Sequence, residues 1–323
     1  MIVLSEKRGL HFPDGSKFRT PLLLPSFSSR VPKIDSILRT VRDIIEGPIL
    51  ISAYDIKRGH ITTPYDWASA IFLDSGGYEI SKDTDLSDVD DELTAERSWK
   101  AEDHAELISN WSSPTPLVVV NYDHPKERCT FKEQINKALQ LKLPHNAIRE
   151  ILLKPETVEQ HFIKMDSLLK EVRQLVDFDI IGVTEKEIGN SVLERTQNVA
   201  QLRLALRNIG VESPIHVFGS LDTTTTLFYF VAGADIFDGL TWLRYAFKDG
   251  RTLYKQDFGI TDIGVSTKSP AIEAVCWSRN YNYLRRMELE MQTFLNAHDF
   301  NVFSHHSTQL KSIAESIEES VRA

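Results

Sequence analysis

The chain has 323 residues, of which 41% are apolar and 26% charged, a composition that suits a globular protein able to bury a core without staples. Two distant cysteines, Cys129 and Cys276, exclude a disulfide framework and lead to the expectation of a reducing, cytoplasmic setting. A net charge of −9 excludes a generally basic surface, so nucleic acid would have to meet a local patch; no apolar run reaches the roughly 18 residues of a membrane span, and no membrane partner is expected.

In chain order, Leu10–Arg19 comes first. Its Pro13-Asp14-Gly15 turn between short extended segments predicts a hairpin that caps one end of the fold. Eight short apolar runs follow: Pro21–Pro25, Pro48–Ser52, Ala70–Leu73, Leu117–Asn121, Glu150–Leu153, Asp179–Gly182, Ile215–Phe218 and Ala234–Phe237. Runs of this kind suit strands buried on both faces. Helical spacing fills most gaps. Phe162, Met165, Leu168, Leu169, Val172, Leu175 and Val176 form one such series, and Val192, Val199, Leu202, Leu206 and Ile209 another. Strand then helix, eight times, predicts a (β/α)₈ TIM barrel; the alternative with the same alternation is an open doubly wound sheet. Tyr281–Phe294 and Thr308–Val321 read as appended C-terminal helices. The expected plan is a single domain, with a hairpin over 1–20, a barrel over 21–245 and an extension over 246–323.

Barrel enzymes carry their chemistry at the C-terminal ends of the strands. Those ends hold Asp74-Ser75-Gly76-Gly77-Tyr78, Tyr122-Asp123-His124, Gly182-Val183-Thr184-Glu185, Gly219-Ser220 and Asp238-Gly239-Leu240. Three acids, Asp74, Asp123 and Asp238, are thus expected on one rim. A strand-end aspartate can simply cap the next helix. Three together fit acid/base or glycosyl chemistry better, with one carboxylate attacking and another moving a proton. His60 and His124 read as structural histidines. Trp242 and Tyr245 could stack on bases or pack under the barrel edge.

Three segments carry a resemblance: Arg8–Ser28, the LDSGGY of Leu73–Tyr78, and the GADIFDGLTWLR of Gly233–Arg244, with its arginine six residues after the second motif aspartate. In order and spacing the chain resembles the tRNA-guanine transglycosylase superfamily, and within it most closely the DNA 7-deazaguanine transglycosylase branch. The resemblance implies a base exchange in nucleic acid, guanine for a 7-deazaguanine, through a covalent intermediate and without a cofactor in the chemistry. It implies Asp238 as nucleophile and Asp74 as general acid/base. It implies base contacts from Ser75, Gly76, Tyr78, Asp123, Gly182 and Gly219, and a backbone contact from Arg244. Flipping of the target base out of its stack follows.

Two kinds of departure matter. The family's glutamine after strand five is replaced within Leu153-Lys154-Pro155-Glu156, and Val183 stands for the second glycine of the strand-six loop. The family's structural zinc set is reduced to Cys276 with His305 or His306, because Ala271 and Glu273 fall on the other cysteine positions. One Cys, one Glu and one His make a poor structural zinc set. That loss favours DNA over tRNA as partner. Asp83–Glu92 is strongly acidic, and the nucleic-acid backbone is expected instead on a basic cluster after strand eight, including Lys248, Arg251, Lys255, Arg279, Arg285 and Arg286. A tRNA-acting enzyme, a barrel enzyme acting on a small substrate, and a non-catalytic accessory subunit are the competing readings. A helper protein or a homodimer is compatible with all of them.

Overall fold

The computed structural model describes residues 3–81 and 98–322; the acidic Asp83–Glu92 lies outside the described residues. Twelve strands form in this part of the chain: β1 (Gly9–His11), β2 (Lys17–Arg19), β3 (Leu22–Phe27), β4 (Ile49–Ser52), β5 (Ile71–Asp74), β6 (Leu117–Val120), β7 (Ala147–Leu153), β8 (Ile180–Thr184), β9 (Ile215–Phe218), β10 (Ile236–Gly239), β11 (Ala246–Lys248) and β12 (Arg251–Leu253). Strands β3 to β10 close into a parallel barrel, with β10 pairing to β3. Each of the eight apolar runs became a strand of that barrel, so the open-sheet alternative fails on closure.

Closure explains the residue alternation. Leu24, Leu50, Phe72, Val118, Leu152 and Ile180 point inward and form the barrel's own core. Their neighbours Leu23, Ile51, Leu73, Val119, Leu153 and Ile181 point outward under the helices. Both faces are apolar, which is why the sequence shows continuous runs. The β1–β2 hairpin sends Leu10 and Phe12 into the inner core beside Leu22, Ala70 and Ile148. It therefore plugs the N-terminal end of the barrel and leaves the C-terminal end for the site.

A buried ion-pair cluster ties the plug down. Asp235, just before β10, pairs with Arg8 at 2.8 Å and with Arg203 at 2.5 Å, and it accepts the Ile215 N–H at 2.8 Å. Arg203 belongs to the helix Val192–Asn208 and also donates to the Gly233 carbonyl at 2.9 Å. Gly233 and Asp235 of the strand-eight motif thus serve the closed end of the barrel, far from its rim.

The helical series around Met165 departs from expectation. Met165–Glu171 is α-helical, but Val172–Asp177 tightens to a 3₁₀ turn. Three residues per turn shift the phase, and Val176 turns out to solvent at 60% exposure while Leu175 stays buried. Both predicted C-terminal helices form, the first as part of the longer helix Ser269–Ala297 and the second as Ser307–Arg322. Asn280 clamps the long helix to the chain after β10. It accepts the Phe247 N–H at 2.7 Å and donates to the Trp242 and Tyr245 carbonyls, each at 2.7 Å. Trp242 packs edge-to-face on Phe27 at 5.6 Å with no exposure, so its stacking reading gives way to core packing.

Candidate active site

The C-terminal mouth of the barrel holds a cavity of about 380 Å³. Its lining includes Asp74, Ser75, Tyr78, Asp123, Gly219, Asp238 and Arg244 among the predicted site residues.

Asp238 sits inside β10, pointing inward at 6% exposure. Its two oxygens are held from three sides. Oδ2 accepts from the Ser26 hydroxyl at 2.8 Å, and Oδ1 accepts the Gly219 N–H at 3.0 Å and lies 3.2 Å from His216 Nε2. Both donors from neighbouring strands follow from register, since β10 lies between β9 and β3. Asp74 ends β5 and has one backbone donor, Gly76 N–H at 3.4 Å. Burial pushes its carboxyl well above the usual range, and the charges of Glu79, Asp123 and Asp238 push it further. Burial and like charge thus favour the neutral form of Asp74, whereas Asp238 is anchored by a hydroxyl, a backbone N–H and an imidazole.

The loop after β5 is shaped by its glycines. Gly76 takes a left-handed conformation, φ 87°, to turn the chain. A Cβ at Gly77 would stand 2.4 Å from Asp123 Oδ1, so the absence of a side chain lets Asp123 approach the turn. Ser75 Oγ donates to the same Asp123 oxygen. Lys154 Nζ stands 3.6 Å from the other Asp123 oxygen, 2.9 Å from Glu187 Oε2 and 2.8 Å from Thr184 Oγ1. Arg128 adds a second cation on Glu187 at 3.1 Å. Lys154 thus puts a cation at the cavity wall in the segment that departs from the family's glutamine.

Sequence reasoning missed four contributors, Ser26, Glu79, Glu150 and His216. All are polar residues buried at the barrel mouth or interior. Glu150 and His216 carried a legible signal, because each breaks an otherwise apolar strand. Glu79 accepts from Ser28 Oγ at 2.5 Å at the edge of the cavity. Burial raises its carboxyl to about 7, and the charge of Asp55 adds to the rise. A raised carboxyl costs stability when it ionises: the unfolded chain releases this proton from about pH 4.5, the folded chain from about pH 7. Folding stability is expected to fall as pH rises through that window. Glu79→Gln should flatten the fall in a calorimetric melting series, while His216, also raised, keeps a slope at higher pH. An unchanged profile in the variant would remove Glu79 from this account.

Other predicted residues lie elsewhere. Gly182 is under the cavity floor, with no part in its lining; a Cβ there would meet the Phe218 ring at 2.6 Å and Glu150 Oε1 at 3.1 Å. Gly76 turns beneath the lining, packed on Tyr54 and Trp99. The basic residues after β10 do not form one face. Lys248 is paired with Asp262 at 2.5 Å and Arg285 with Glu288 at 2.8 Å. Arg285 lines a small cleft with Glu46 and Pro48, whereas Arg286 lines a different one with Leu227 and His305. Arg251 is exposed on β12. Consecutive positions on a helix point about 100° apart, which splits the cluster. Arg244 alone of these lines the cavity, with a 3.4 Å contact to the Tyr78 hydroxyl.

The residues aligned with the family's zinc ligands do not fit a metal. Cys276 is fully buried among Ala246, Phe258, Ile263, Ile272 and Val275. Burial pushes its thiol up, away from the thiolate a metal needs. His305 packs by Gly250 and is not part of that apolar cluster. Among the described residues no group of three or more His, Cys, Asp or Glu side chains is placed to hold a metal ion.

No protein-family model matches the chain. The chain is 23% identical over 283 residues to a tRNA-guanine(15) transglycosylase of Pyrobaculum aerophilum, a match that covers 82% of this chain and 54% of the relative. It spans about half the length of the curated relative it matches. The closed barrel and the carboxylates at its C-terminal mouth thus stand beside a sequence similarity to a tRNA-guanine transglycosylase.

Proposed function

We propose that the protein is a pentosyltransferase that exchanges a guanine base in nucleic acid. One observation carries the reading: Asp238 and Asp74 face the same cavity in unlike surroundings, Asp238 anchored by a hydroxyl and a backbone N–H, Asp74 buried among like charges that favour its neutral form. That division is what a two-step glycosyl transfer needs.

In the first step an Asp238 oxygen attacks the anomeric carbon of the target nucleotide. The bond to the base breaks, its electron pair leaves with the base, and the Asp74 proton neutralises it. A glycosyl ester on Asp238 and an ionised Asp74 result. In the second step Asp74 takes a proton from the incoming base, whose freed nitrogen attacks the same carbon and restores the Asp238 carboxylate. Protons and charge balance over the cycle, so the chemistry calls for no cofactor. Tyr78 offers a ring to the base, and Ser75, Asp123 and Lys154 offer polar edges. Arg244 meets the phosphate backbone at the mouth.

The finer reading is DNA as the polymer and a 7-deazaguanine, of the 7-cyano kind, as the incoming base. The loss of the zinc ligand set favours it. The relative's own substrate class favours tRNA as the second reading. Incubation with labelled DNA or tRNA and a 7-deazaguanine should trap a denaturation-resistant adduct on one polymer only. Adduct on tRNA alone would overturn the DNA reading; adduct on neither would overturn base exchange. Asp74→Asn is expected to slow adduct formation by about 10²–10⁴-fold, the usual contribution of a positioned acid, and to remove the alkaline limb of the pH–rate profile. An intact alkaline limb in the variant would assign the proton to another group.

A further inference from the structure

Beneath the cavity floor runs a chain of three buried groups. Glu150 Oε1 lies 2.7 Å from His216 Nδ1, and His216 Nε2 lies 3.2 Å from Asp238 Oδ1. Glu150 and His216 have no exposure, and Asp238 has 6%. They come from β7, β9 and β10, and β8 stands between the first two. Register places Gly182 of β8 beside both Leu152 and His216. A Cβ at Gly182 would crowd Glu150 Oε1 at 3.1 Å and the Phe218 ring at 2.6 Å. Gly182 is the gap through which Glu150 reaches across a whole strand to His216. Phe218 stacks on the imidazole at 3.8 Å and Phe72 meets it edge-on at 6.1 Å, so the ring is fixed and dry.

We propose that the Glu150–His216 pair is a positioning device for the nucleophile: it keeps Asp238 in the ionised form and so leaves the proton shared by the two cavity acids on Asp74. This rests on the base-exchange reading. The geometry supplies the reason. Two carboxyls facing one cavity compete for a proton, and the one with a cationic partner loses it. Asp238 has an imidazole donor, a backbone N–H and a hydroxyl; the charged neighbours that weigh most on Asp74 are the acids Glu79, Asp123 and Asp238, and it has one long backbone bond. Burial by itself would discharge the imidazole, but Glu150 and Asp238 outweigh it and raise the ring to about 9. Burial likewise pushes Glu150 up, and the facing imidazole draws it back. When Asp238 becomes an ester it loses its charge, and the Glu150–His216 pair left behind is neutral overall. The same imidazolium receives the carboxylate when the ester breaks.

The test has one readout that needs activity and one that does not. In the first, adduct formation is followed in a single turnover for His216→Gln and Glu150→Gln across pH 5–9, with substrate affinity measured separately. The expected result is a 10–100-fold slower adduct step near pH 7, little change in affinity, and an acidic limb moved up by at least one pH unit in His216→Gln. A uniform loss with an unmoved limb overturns the proposal and leaves His216 a structural residue. In the second, the His216 ring is titrated by NMR in the unaltered protein and in Asp238→Asn. A ring still protonated at pH 8, with its midpoint lowered by more than one unit in the variant, supports the coupling even if no substrate is ever turned over. A ring titrating near its ordinary value in the unaltered protein overturns it. Gly182→Ala serves as a second route, since its methyl group would crowd Glu150 Oε1 out of the gap while both titrating side chains keep their chemistry, and it should show the same limb shift.

Discussion

Asp238→Asn is expected to abolish the covalent adduct and to lower base exchange by on the order of 10⁴-fold or more, the scale seen when a covalent nucleophile is removed. The variant is a clean one. Asparagine is nearly isosteric, its carbonyl can still accept the Gly219 N–H, and its amide can face the Ser26 hydroxyl, which can turn to accept. The barrel should fold unchanged, so loss of adduct would report the missing charge and nucleophilic oxygen alone. A denaturing gel with labelled nucleic acid reads the outcome directly. Persistent adduct in Asp238→Asn would place the nucleophile elsewhere. Asp74 would then be the next candidate, because it shares the cavity.

Asp235→Ala tests the opposite end of the barrel and should be the most damaging change to stability. Removing this carboxylate leaves the guanidiniums of Arg8 and Arg203 buried together, with side chains 2% and 1% exposed and without their buried anion; Glu6 at 3.3 Å and Glu212 at 3.6 Å from Arg8 are both far more exposed. Breaking one side of a buried ion pair costs about 3–5 kcal/mol, which corresponds to a melting temperature lower by on the order of 10 °C. The Ile215 N–H also loses its acceptor. Burial already draws the Arg203 guanidinium down to about 10, with Asp235 as the main opposing influence. Calorimetry on the variant checks the size of the effect. Adduct formation per folded molecule should persist at low temperature, because Asp235 lies outside the cavity lining. A melting temperature within two or three degrees of the parent would show that the plug is held by packing alone.

These two aspartates stand three positions apart in one motif, yet they serve opposite ends of β10. Neither composition nor spacing separates a clamp from a proposed nucleophile. Strand direction does: Asp235 precedes the strand at the closed end, and Asp238 lies near its C-terminal end and points inward. Gly182 teaches the same lesson. The resemblance implied a base contact, whereas the structure gives it a place between two strands, where an absent side chain opens a passage for Glu150. Lys248, Arg251, Arg285 and Arg286 read as one basic cluster in the sequence and fall on separate surfaces once helix phase and ion pairing are known.

The sequence by itself determined the barrel and its rim. Doubly buried strands must be continuously apolar, so eight such runs announced eight barrel strands, and the polarity of a parallel barrel told at which ends to expect a site. The resemblance added the expectation of an incomplete zinc set, since alanine cannot supply a ligand. Only the tertiary structure decided which buried polar residues meet. Glu150, His216 and Asp238 are separated by 66 and 22 positions, and their union depends on strand order, register and inward phase. Local pattern carries the period of a strand, but the partner across a barrel is set by closure, and closure is a property of the whole chain.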